Sequence, residues 1–380
     1  MTGAFVVGAG MVRMGRHKES GYVGLAAPAV REALRSAGLT LGELDSVHCG
    51  HSFGGPLLGQ RIMSRLGAGH IPVTNVENAC SGGGTALRGA IRDVESGRAE
   101  IALAIGVDSL SQFGKGTLPL PERDIETEMG LVMPALYALR ARRFLFERDA
   151  TVSDLAQVSV KNRRHGSRNP YAQFQAEVTE EEVLASRPIA DPLTLLQCCP
   201  TGDGAAAVLV VSEAVRRRLG GAAAQVLASV LHSGQYESGP QDMLAPKISA
   251  ASAQDAYEMA GIGPDDLDLV ELHDAFSIAE LVYYETLGLC APGESVGFLR
   301  SGATTYGGDV VVNPSGGLLS RGHPVGATGV AQVVESYWQL TGQAGDRQID
   351  GAALALTHVT GGGLAGLDHG ACSVHILAAA

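Results

Sequence analysis

A chain of 380 residues is long enough for two compact domains or for a duplicated unit. Its net charge of -12 at pH 7 argues against general nucleic-acid binding, and no apolar run approaches the roughly 20 residues that span a bilayer. The six cysteines lack the spacing of a metal site, and their scatter is typical of the reducing cytoplasm. We therefore expect a cytoplasmic globular protein with neither a nucleic-acid nor a membrane partner.

The first half of the chain alternates predicted strands and helices. Apolar runs predict strands at 4–7, 47–51, 73–76 and 101–107, with helices at 22–37 and 83–96. The segment 112–197 interrupts this pattern with prolines, charges and aromatic residues. We interpret it as an inserted helical and loop subdomain, after which a strand at 205–211 rejoins the first sheet.

The second half repeats the first. Strands are predicted at 225–231, 267–272, 310–312, 352–356 and 373–377, with helices at 250–260, 278–287 and 330–340. We therefore predict an α/β fold of two doubly wound βαβαβ modules, residues 1–212 and 213–380. Ligands of such sheets bind beyond the carboxyl ends of the strands. Because Cys80, His273, His323 and the segment 360–363 all follow strand ends, we expect them to share one pocket.

Cys80 follows a predicted strand and precedes a helix, in the sequence NACSGGG. At a helix N-terminus the dipole and the free N–H groups favour the reactive thiolate, and the Cys80 amide is free to bind an oxyanion. A free cysteine is, however, more often a small buried apolar residue. A base elsewhere in the chain would favour the nucleophile over this structural interpretation.

His323 lies between Gly322 and Pro324 in the glycine-rich stretch NPSGGLLSRGHPVGATG. The structural alternative is a histidine that only caps a turn, but the surrounding glycines and proline favour a fixed imidazole that activates a thiol. His273, in ELHDAFS, is either a packing residue beside a helix cap at Asp274 or a donor to a carbonyl oxygen. The segment 360–363 is typical of a plain turn, or else supplies a second oxyanion donor.

A basic segment, 140–168, carries eight Lys or Arg residues against three acidic ones. In a chain of net charge -12, this contrast indicates either a solvated helix face or a patch for an anionic carrier such as the phosphates of coenzyme A. Arg163, Arg164 and His165 are its candidate phosphate ligands. Cys198 and Cys199 precede Pro200 and are expected to be structural.

Together these motifs resemble the thiolase superfamily, and within it the sterol-carrier-protein type, which is similar to acetyl-CoA acetyltransferases. NACSGG, GHPVGATG and HDAFS look like the family's nucleophile, histidine and oxyanion loops. Longer stretches such as VKNRRHGSRNPYAQFQ extend the resemblance over nearly the whole chain. It implies a five-layered αβαβα sandwich, a homodimer or a dimer of dimers, and chemistry on acyl-CoA thioesters. Coenzyme A would be a cosubstrate, and no cofactor would be bound permanently.

The resemblance also implies a role for each site residue. Cys80 would take the acyl group, while His323 would accept its proton and then donate to the thioester oxygen of the substrate. His273 would complete this first oxyanion hole through a water molecule. The amides of Cys80 and Gly362 would form the second hole, around the carbonyl of the acyl-enzyme.

The chain departs from the family at the second cysteine, which moves the proton of the α-carbon. Ala275 and Thr360 occupy the two positions where thiolases carry this thiol. Near an apparent insertion, LAGLDHG, three residues are candidates for the missing acid/base: His358, His369 and Cys372. Thiolases with this alanine can work with a small zinc-ribbon and OB-fold subunit on bulky or aromatic acyl-CoAs, and the sequence is compatible with such a partner.

We therefore expect thiolytic cleavage of a 3-oxoacyl-CoA, with bulky, branched or aromatic acyl groups among the candidates, or the reverse Claisen condensation. Degradation of lipids or aromatic compounds would be the setting. Two alternatives stay open, namely a retro-aldolase acting on a 3-hydroxyacyl-CoA and a non-catalytic acyl-CoA-binding scaffold subunit. Retention of both Cys80 and His323 argues against each of them, because neither needs an activated thiol.

Overall fold

The computed structural model describes residues 3–114, 118, 128–235, 242–362 and 369–380. Residues 363–368, which include most of the apparent insertion LAGLDHG, and part of the inserted segment 112–197 fall outside these residues. Within the described ranges, no helix combines the length and the apolar character that crossing a membrane requires.

The strands agree closely with the sequence prediction. They are β1 (Ala4–Met11), β2 (Ser46–Gly50), β3 (Val73–Val76), β4 (Ile101–Ser109), β5 (Pro188–Ala190), β6 (Leu193–Thr194), β7 (Asp203–Ser212), β8 (Ala224–Ser233), β9 (Leu269–Glu271), β10 (Val311–Val312), β11 (Leu354–Gly361) and β12 (Ala371–Ala379). Each predicted strand is present, and β5 and β6 form a small separate sheet.

The helices connect these strands and cover the sheet. They are α1 (Gly21–Ala37), α2 (Leu58–Leu66), α3 (Gly82–Glu95), α4 (Met133–Glu147), α5 (Val152–Ser167), α6 (Glu180–Ala185), α7 (Glu213–Leu219), α8 (Lys247–Ala260), α9 (Ser277–Thr286), α10 (Ser295–Arg300), α11 (Gly317–Ser320) and α12 (Thr328–Leu340). Of these, α4, α5 and α6 lie in the inserted segment, which is helical as predicted.

The large sheet consists of two halves with the same strand order. One half runs β3-β2-β4-β7-β1 from its edge, and the other runs β10-β9-β11-β12-β8. The halves meet where β1 and β8 pair antiparallel, with Phe5 opposite Gln225 and Val6 opposite Ala224. Each strand of the first half therefore has a counterpart in the second, which confirms the predicted repeat of two doubly wound units.

An apolar core fills the space between each helical layer and the sheet. Helices α1 and α2 pack on the outer face of the first half, where Val30 is fully buried. Helices α3 and α12 lie between the two halves and contribute Leu87 and Val333. Helices α8 and α9, with α4 and α5, cover the outer face of the second half around Leu281 and Val158. The order of layers is thus α, β, α, β, α, as the resemblance implied.

Candidate active site

Cys80 lies in a tight turn between β3 and α3. Ala79, directly before it, has a φ of 47°, a left-handed conformation that is uncommon for a residue with a Cβ atom. The Ala79 amide donates a hydrogen bond to Glu77 Oε1 (2.7 Å), and the Ser81 amide donates to the Asn78 carbonyl (3.0 Å). The turn therefore holds Cys80 in a fixed direction, and strained backbone of this kind is typical of functional sites.

Glycines let this turn approach residues 313–329, which we call the histidine loop. A Cβ atom at Gly83 would lie 2.7 Å from the carbonyl oxygen of Gly326, and one at Gly329 would overlap the amide nitrogen of Gly84. Any side chain at these positions would push α3 and α12 apart. The glycines thus allow the two loops that carry the predicted nucleophile and base to touch.

His323 reaches Cys80 across this contact. Its Nε2 atom lies 3.3 Å from the Cys80 sulfur, and its Nδ1 atom lies 2.8 Å from the Thr328 hydroxyl. The Thr328 hydroxyl donates its own proton to the Pro324 carbonyl (3.1 Å), so its oxygen accepts from Nδ1–H of His323. The lone pair of the imidazole is therefore on Nε2 and faces the thiol, which is the arrangement of a base with its nucleophile.

Burial keeps this pair neutral in the resting site. Burial, reinforced by Asp108, raises the pKa of the Cys80 thiol to about 12, although the N–H groups of Gly362 and of Cys80 itself point at the sulfur and lower it. Burial and then Arg321 lower the pKa of His323 to about 3. The expectation that the helix N-terminus favours the thiolate of Cys80 is not met in the resting site, because desolvation outweighs the hydrogen bonds from the Gly362 and Cys80 amides. The thiol must lose its proton to His323 as it reacts.

His273 completes the cluster. The Cys80 sulfur and one ring nitrogen each of His273 and His323 all lie within 4.8 Å of one another. Nδ1 of His273 is 2.8 Å from the Thr360 hydroxyl, while its Nε2 is buried and has no hydrogen-bond partner among the residues that the structure describes. The structure thus brings together three residues that sequence analysis placed at separate strand ends.

The end of β11 packs directly on the turn of Cys80. Strand β11 continues to Gly361, where the sequence predicted a turn, and a Cβ atom there would overlap the Asn78 carbonyl oxygen. Gly362 follows with a φ of 63°, and its N–H points at the Cys80 sulfur. Gly363, the last residue of the predicted turn, lies outside the described residues.

The three candidates for the missing acid/base are placed differently. His358 Nε2 lies 2.9 Å from the Ser249 hydroxyl of α8, and Cys372 Sγ lies 4.0 Å from the same oxygen. His369 instead lies 2.9 Å from the Gly362 carbonyl through Nδ1 and 3.3 Å from the Tyr283 hydroxyl through Nε2. His358 and Cys372 therefore face α8, whereas His369 borders the loop that holds the Gly362 amide.

Two of the candidate phosphate ligands are buried. Arg163 is 7% exposed and stacks on Phe174, with 4.2 Å from its guanidinium carbon to the ring centroid. His165 is 1% exposed, and its Nδ1 lies 3.1 Å from the Asn313 carbonyl oxygen. Burial lowers the pKa of His165 well below its usual value, so the ring carries no charge. This burial disfavours the predicted phosphate role of Arg163 and His165, whereas Arg164 is exposed and stays a predicted phosphate ligand.

The buried face of α5 supports the histidine loop instead. Lys161 Nζ lies 2.7 Å from Glu280 Oε1 and donates to the Val312 carbonyl (2.9 Å). The Asn162 side chain donates to both Asp274 (2.8 Å) and Glu280 (2.7 Å). The inserted helix is thereby tied to the strand ends that carry His273 and the histidine loop, and the basic segment has a structural role there.

Two buried carboxylates also hold the histidine loop: Asp108, which the sequence analysis did not single out, and Asp274, which it placed at a different helix. Asp108, at the end of β4, accepts hydrogen bonds from the amides of Gly326 (2.5 Å) and Ser52 (3.2 Å). Burial raises its pKa to about 6, although these hydrogen bonds lower it. Asp274 accepts from the Leu318 amide (2.7 Å), so it caps α11 within the loop and not the helix that follows it in sequence. An acidic residue at the end of a buried apolar strand was the available signal for Asp108.

A buried ion pair also anchors this loop and leads to a stability prediction. Arg321, two residues before His323, contacts Glu271 at 3.0 Å, and neither side chain is exposed. The substitution Glu271→Gln removes the counter-charge of a buried guanidinium, so we expect a loss of about 3–5 kcal/mol in the free energy of unfolding. Urea denaturation measures it. The matched control Glu32→Gln removes an exposed pair with Arg35 and should leave the midpoint nearly unchanged, whereas equal shifts would contradict the prediction.

Comparison with known protein families covers both halves of the chain. The family model described as thiolase, N-terminal domain, matches residues 4–214. The model described as thiolase C-terminal domain-like matches residues 229–369. The gap between the two matches, residues 215–228, runs from α7 into β8, the strand with which the second half begins.

Curated relatives and solved structures agree with these matches. The chain is 45% identical over 365 residues to the benzoylsuccinyl-CoA thiolase subunit BbsB of Thauera aromatica, covering 94% of both chains. It is 40% identical to human sterol carrier protein 2, covering 94% of this chain and 69% of that protein. It is 38% identical to an acetyl-CoA acetyltransferase of Methanothermobacter thermautotrophicus, covering 98% of both.

Among solved structures, an Ltp2-ChsH2(DUF35) aldolase has a TM-score of 0.86 at 24% identity and covers 100% of this chain and 98% of its own. Human mitochondrial 3-ketoacyl-CoA thiolase in complex with CoA has a TM-score of 0.76 at 17% identity, with the same coverage. At these identities the structures show the shared fold alone. The family models and the relatives together confirm the resemblance, and they show that the chain belongs to the thiolase family of acyl-CoA acyltransferases.

Proposed function

We propose that this enzyme catalyses thiolytic cleavage of a 3-oxoacyl-CoA by free coenzyme A through an acyl group carried on Cys80. The observation that carries the proposal is the 3.3 Å contact between the Cys80 sulfur and Nε2 of His323. Because Thr328 accepts from the other ring nitrogen, the lone pair faces the thiol. Membership of the thiolase family supports the same reaction class.

In the first half-reaction, His323 takes the proton of Cys80 while the sulfur attacks the ketone carbon of the substrate. The N–H groups of Cys80 and Gly362, which point at the sulfur, are placed to donate to the oxyanion that forms. The bond between C2 and C3 then breaks, and its electron pair passes to C2. His323 returns the proton to C2, so that one acyl-CoA leaves and Cys80 stays acylated.

In the second half-reaction, coenzyme A releases the enzyme. Its sulfur attacks the acyl carbon, its proton passes to a base, and the Cys80 sulfur leaves and regains a proton. The same groups catalyse the reverse Claisen condensation, so the concentrations of free coenzyme A and of the thioesters decide the direction. Abundant free coenzyme A favours cleavage, which is the direction we propose.

Product analysis tests the reaction class. The protein is incubated with a 3-oxoacyl-CoA and free coenzyme A, and the thioesters are quantified by mass spectrometry. Thiolysis consumes one coenzyme A and yields two acyl-CoAs for each substrate molecule. A retro-aldolase would split a 3-hydroxyacyl-CoA into a carbonyl compound and one acyl-CoA without consuming coenzyme A, and a scaffold subunit would bind substrate without converting it. Either outcome would contradict the proposal.

We propose further that the acyl group is bulky, branched or aromatic. The support is the 45% identity to a protein named as a benzoylsuccinyl-CoA thiolase subunit. The measurement compares kcat/KM for an aromatic substrate, 3-oxo-3-phenylpropanoyl-CoA, with kcat/KM for acetoacetyl-CoA. We expect a preference of at least about 10-fold for the aromatic substrate, because a pocket sized for a ring leaves the methyl group poorly packed. A preference for acetoacetyl-CoA would contradict this assignment.

We also propose that the protein works as a homodimer, or dimer of dimers, with a small zinc-ribbon and OB-fold subunit. BbsB is named as a subunit, and the structural neighbour pairs its thiolase-like chain with ChsH2(DUF35). On α4, Leu139 is 49% exposed and Phe146 is 83% exposed, as apolar contacts for a partner would be. Strand β3 is an edge of the large sheet, where a second copy can pair. Light scattering with and without the co-expressed subunit measures the mass of the assembly. A monomer that is fully active without the subunit would contradict this proposal.

The module boundary and the compartment also belong to this proposal. The repeated strand order and the two family models support modules at 1–212 and 213–380. All six cysteines are free, which supports a reducing compartment such as the cytoplasm. Fractionation of the source cells measures the compartment, and an experimental structure with a different strand order in either half would contradict the modules.

A further inference from the structure

A row of hydrogen bonds leads from His273 to a backbone carbonyl. Nδ1 of His273 lies 2.8 Å from the Thr360 hydroxyl, which lies 3.2 Å from the hydroxyl of Tyr283. The Tyr283 hydroxyl lies 3.3 Å from Nε2 of His369, whose Nδ1 lies 2.9 Å from the carbonyl oxygen of Gly362. All four side chains are buried, so the hydrogen bonds among them decide which ring nitrogens carry protons.

The carbonyl at one end fixes the direction of each hydrogen bond. A carbonyl oxygen only accepts, so His369 carries its proton on Nδ1, and its Nε2 accepts from the Tyr283 hydroxyl. The Tyr283 oxygen then accepts from the Thr360 hydroxyl, and the Thr360 oxygen accepts from Nδ1–H of His273. A neutral imidazole has one N–H group. His273 therefore presents a lone pair at Nε2.

The opposite direction of these hydrogen bonds would require a second proton on His369. If His273 donated from Nε2, each bond in the row would reverse, and a neutral His369 would turn a lone pair toward the Gly362 carbonyl. Only a doubly protonated His369 avoids this contact. Burial and then the charge on Arg140 lower the pKa of His369 to about 4, so the doubly protonated form is scarce at neutral pH.

The surroundings of His273 also keep it neutral at rest. Burial lowers its pKa most, and the neighbouring His323, His369, His358 and Arg321 lower it further. The hydroxyls of Thr360 and Tyr283 and the thiol of Cys80 are uncharged at neutral pH, because burial raises the pKa values of the tyrosine and the thiol. A proton on His273 would thus be held only while negative charge develops beside it.

We propose that His273 is the second proton acceptor of the site, the group that takes the S–H proton of coenzyme A when the acyl-enzyme is released. Thr360, Tyr283 and His369 are positioning residues, which keep the Nε2 lone pair of His273 available to the reacting groups. Three observations support this proposal. They are the row of hydrogen bonds, the buried Nε2 without a partner in the described part of the chain, and the distance of at most 4.8 Å between a ring nitrogen of His273 and the Cys80 sulfur. The inference rests on the proposed thiolase reaction.

The step balances within the site. In the second half-reaction, the S–H proton of coenzyme A passes to Nε2 of His273 while the sulfur attacks the acyl carbon. The bond from that carbon to the Cys80 sulfur then breaks, and the proton on His273 passes to the departing sulfur. One C–S bond forms, one breaks, and no proton is gained or lost. This role is additional to the expected one in the first oxyanion hole, because a water molecule that donates one proton to the Nε2 lone pair can donate its other proton to the thioester oxygen.

Separating the half-reactions tests the inference. Acyl-Cys80 is formed from a 3-oxoacyl-CoA without coenzyme A, coenzyme A is then added, and the release of the acyl group is followed by intact mass. In His273→Asn the acyl-enzyme should still form, but its release should slow by about 10²–10⁴-fold at neutral pH. This loss should shrink as the pH approaches about 8.5, where coenzyme A ionises and needs no base. A loss that is equal at each pH would show an oxyanion donor and overturn the inference.

Failure of the wild type to form any acyl-enzyme would contradict the proposed function itself, and is therefore distinct from failure of this inference. Thr360→Val and Tyr283→Phe should show the same pH-dependent loss in smaller measure, about 10-fold, with Thr360→Ser restoring the release rate. A purely structural role would lower stability without the pH dependence. Cys199, whose amide donates to the Ala275 carbonyl (2.9 Å), supplies the control. A pH-dependent loss in Cys199→Ser but not in His273→Asn would assign the proton to this thiol and sink the proposal.

Discussion

Replacing Cys80 by alanine is expected to abolish the acyl-enzyme and to lower thiolysis by at least about 10⁵-fold. The reason is that His323 Nε2 contacts this sulfur, and the N–H groups of Cys80 and Gly362 point at it. Alanine leaves no atom there that can carry an acyl group. Intact mass after incubation with a 3-oxoacyl-CoA alone measures the effect, since the wild type should gain one acyl group and the variant none.

Cys290 provides the matched control for this experiment. It is a partly exposed thiol between α9 and α10, and burial raises its pKa to about 12, as it does for Cys80. Cys290→Ala should therefore acylate like the wild type, because no base contacts this sulfur among the described residues. An adduct of equal yield on Cys80→Ala, or its loss in Cys290→Ala, would place the nucleophile elsewhere.

The sheet could be predicted from the sequence because its central strands are buried on both faces. Strands β4 and β7 are buried along their whole length, and each contains a continuous apolar run, at 101–107 and 205–211. Repetition of the same strand and helix order in the second half then indicated the duplication. Local patterning was sufficient here, since no single strand depends on a distant residue for its apolar character.

Helix α2 shows where local patterning fails. It has nine residues and includes Gly59, which disfavours a helix in isolation. In the structure, a Cβ atom at Gly59 would lie 3.0 Å from the Cys49 side chain, and the Gly59 amide donates to Asn75 at 2.7 Å. The helix forms because tertiary contacts need a glycine at this place. In the sequence alone, the same glycine argues against a helix.

The contacts of the basic segment and of Thr360 could not be predicted for a different reason. Lys161 was predicted on a charged surface because its partner, Glu280, is far away in sequence and the pair is buried only in the folded chain. Likewise, the sequence shows that a cysteine is missing at Thr360, but not that the Tyr283 hydroxyl meets the Thr360 hydroxyl and that His369 meets the Tyr283 hydroxyl. Motifs reveal which groups a site contains. The direction of its hydrogen bonds depends on contacts between distant segments.

The substitution His323→Asn is expected to slow acylation of Cys80 by about 10³–10⁴-fold at neutral pH. The pKa of the Cys80 thiol is raised to about 12 and that of His323 is lowered to about 3, so the resting pair keeps its one proton on sulfur across the neutral range. Acylation by the wild type should therefore be nearly independent of pH between about pH 5 and pH 9 with respect to this pair.

Without the imidazole, attack depends on the small fraction of Cys80 that is ionised, and a raised pKa means that this fraction grows as the pH rises. The acylation rate of His323→Asn should consequently increase about tenfold for each pH unit, in contrast to the flat wild-type profile. Thr328→Val is the matched control, since it removes the acceptor that fixes Nδ1–H but retains the base. Thr328→Val should lose less activity than His323→Asn, because the tautomer with its lone pair on Nε2 becomes less populated but is still present. Its acylation rate should stay independent of pH. A flat profile for His323→Asn would mean that another group takes the thiol proton.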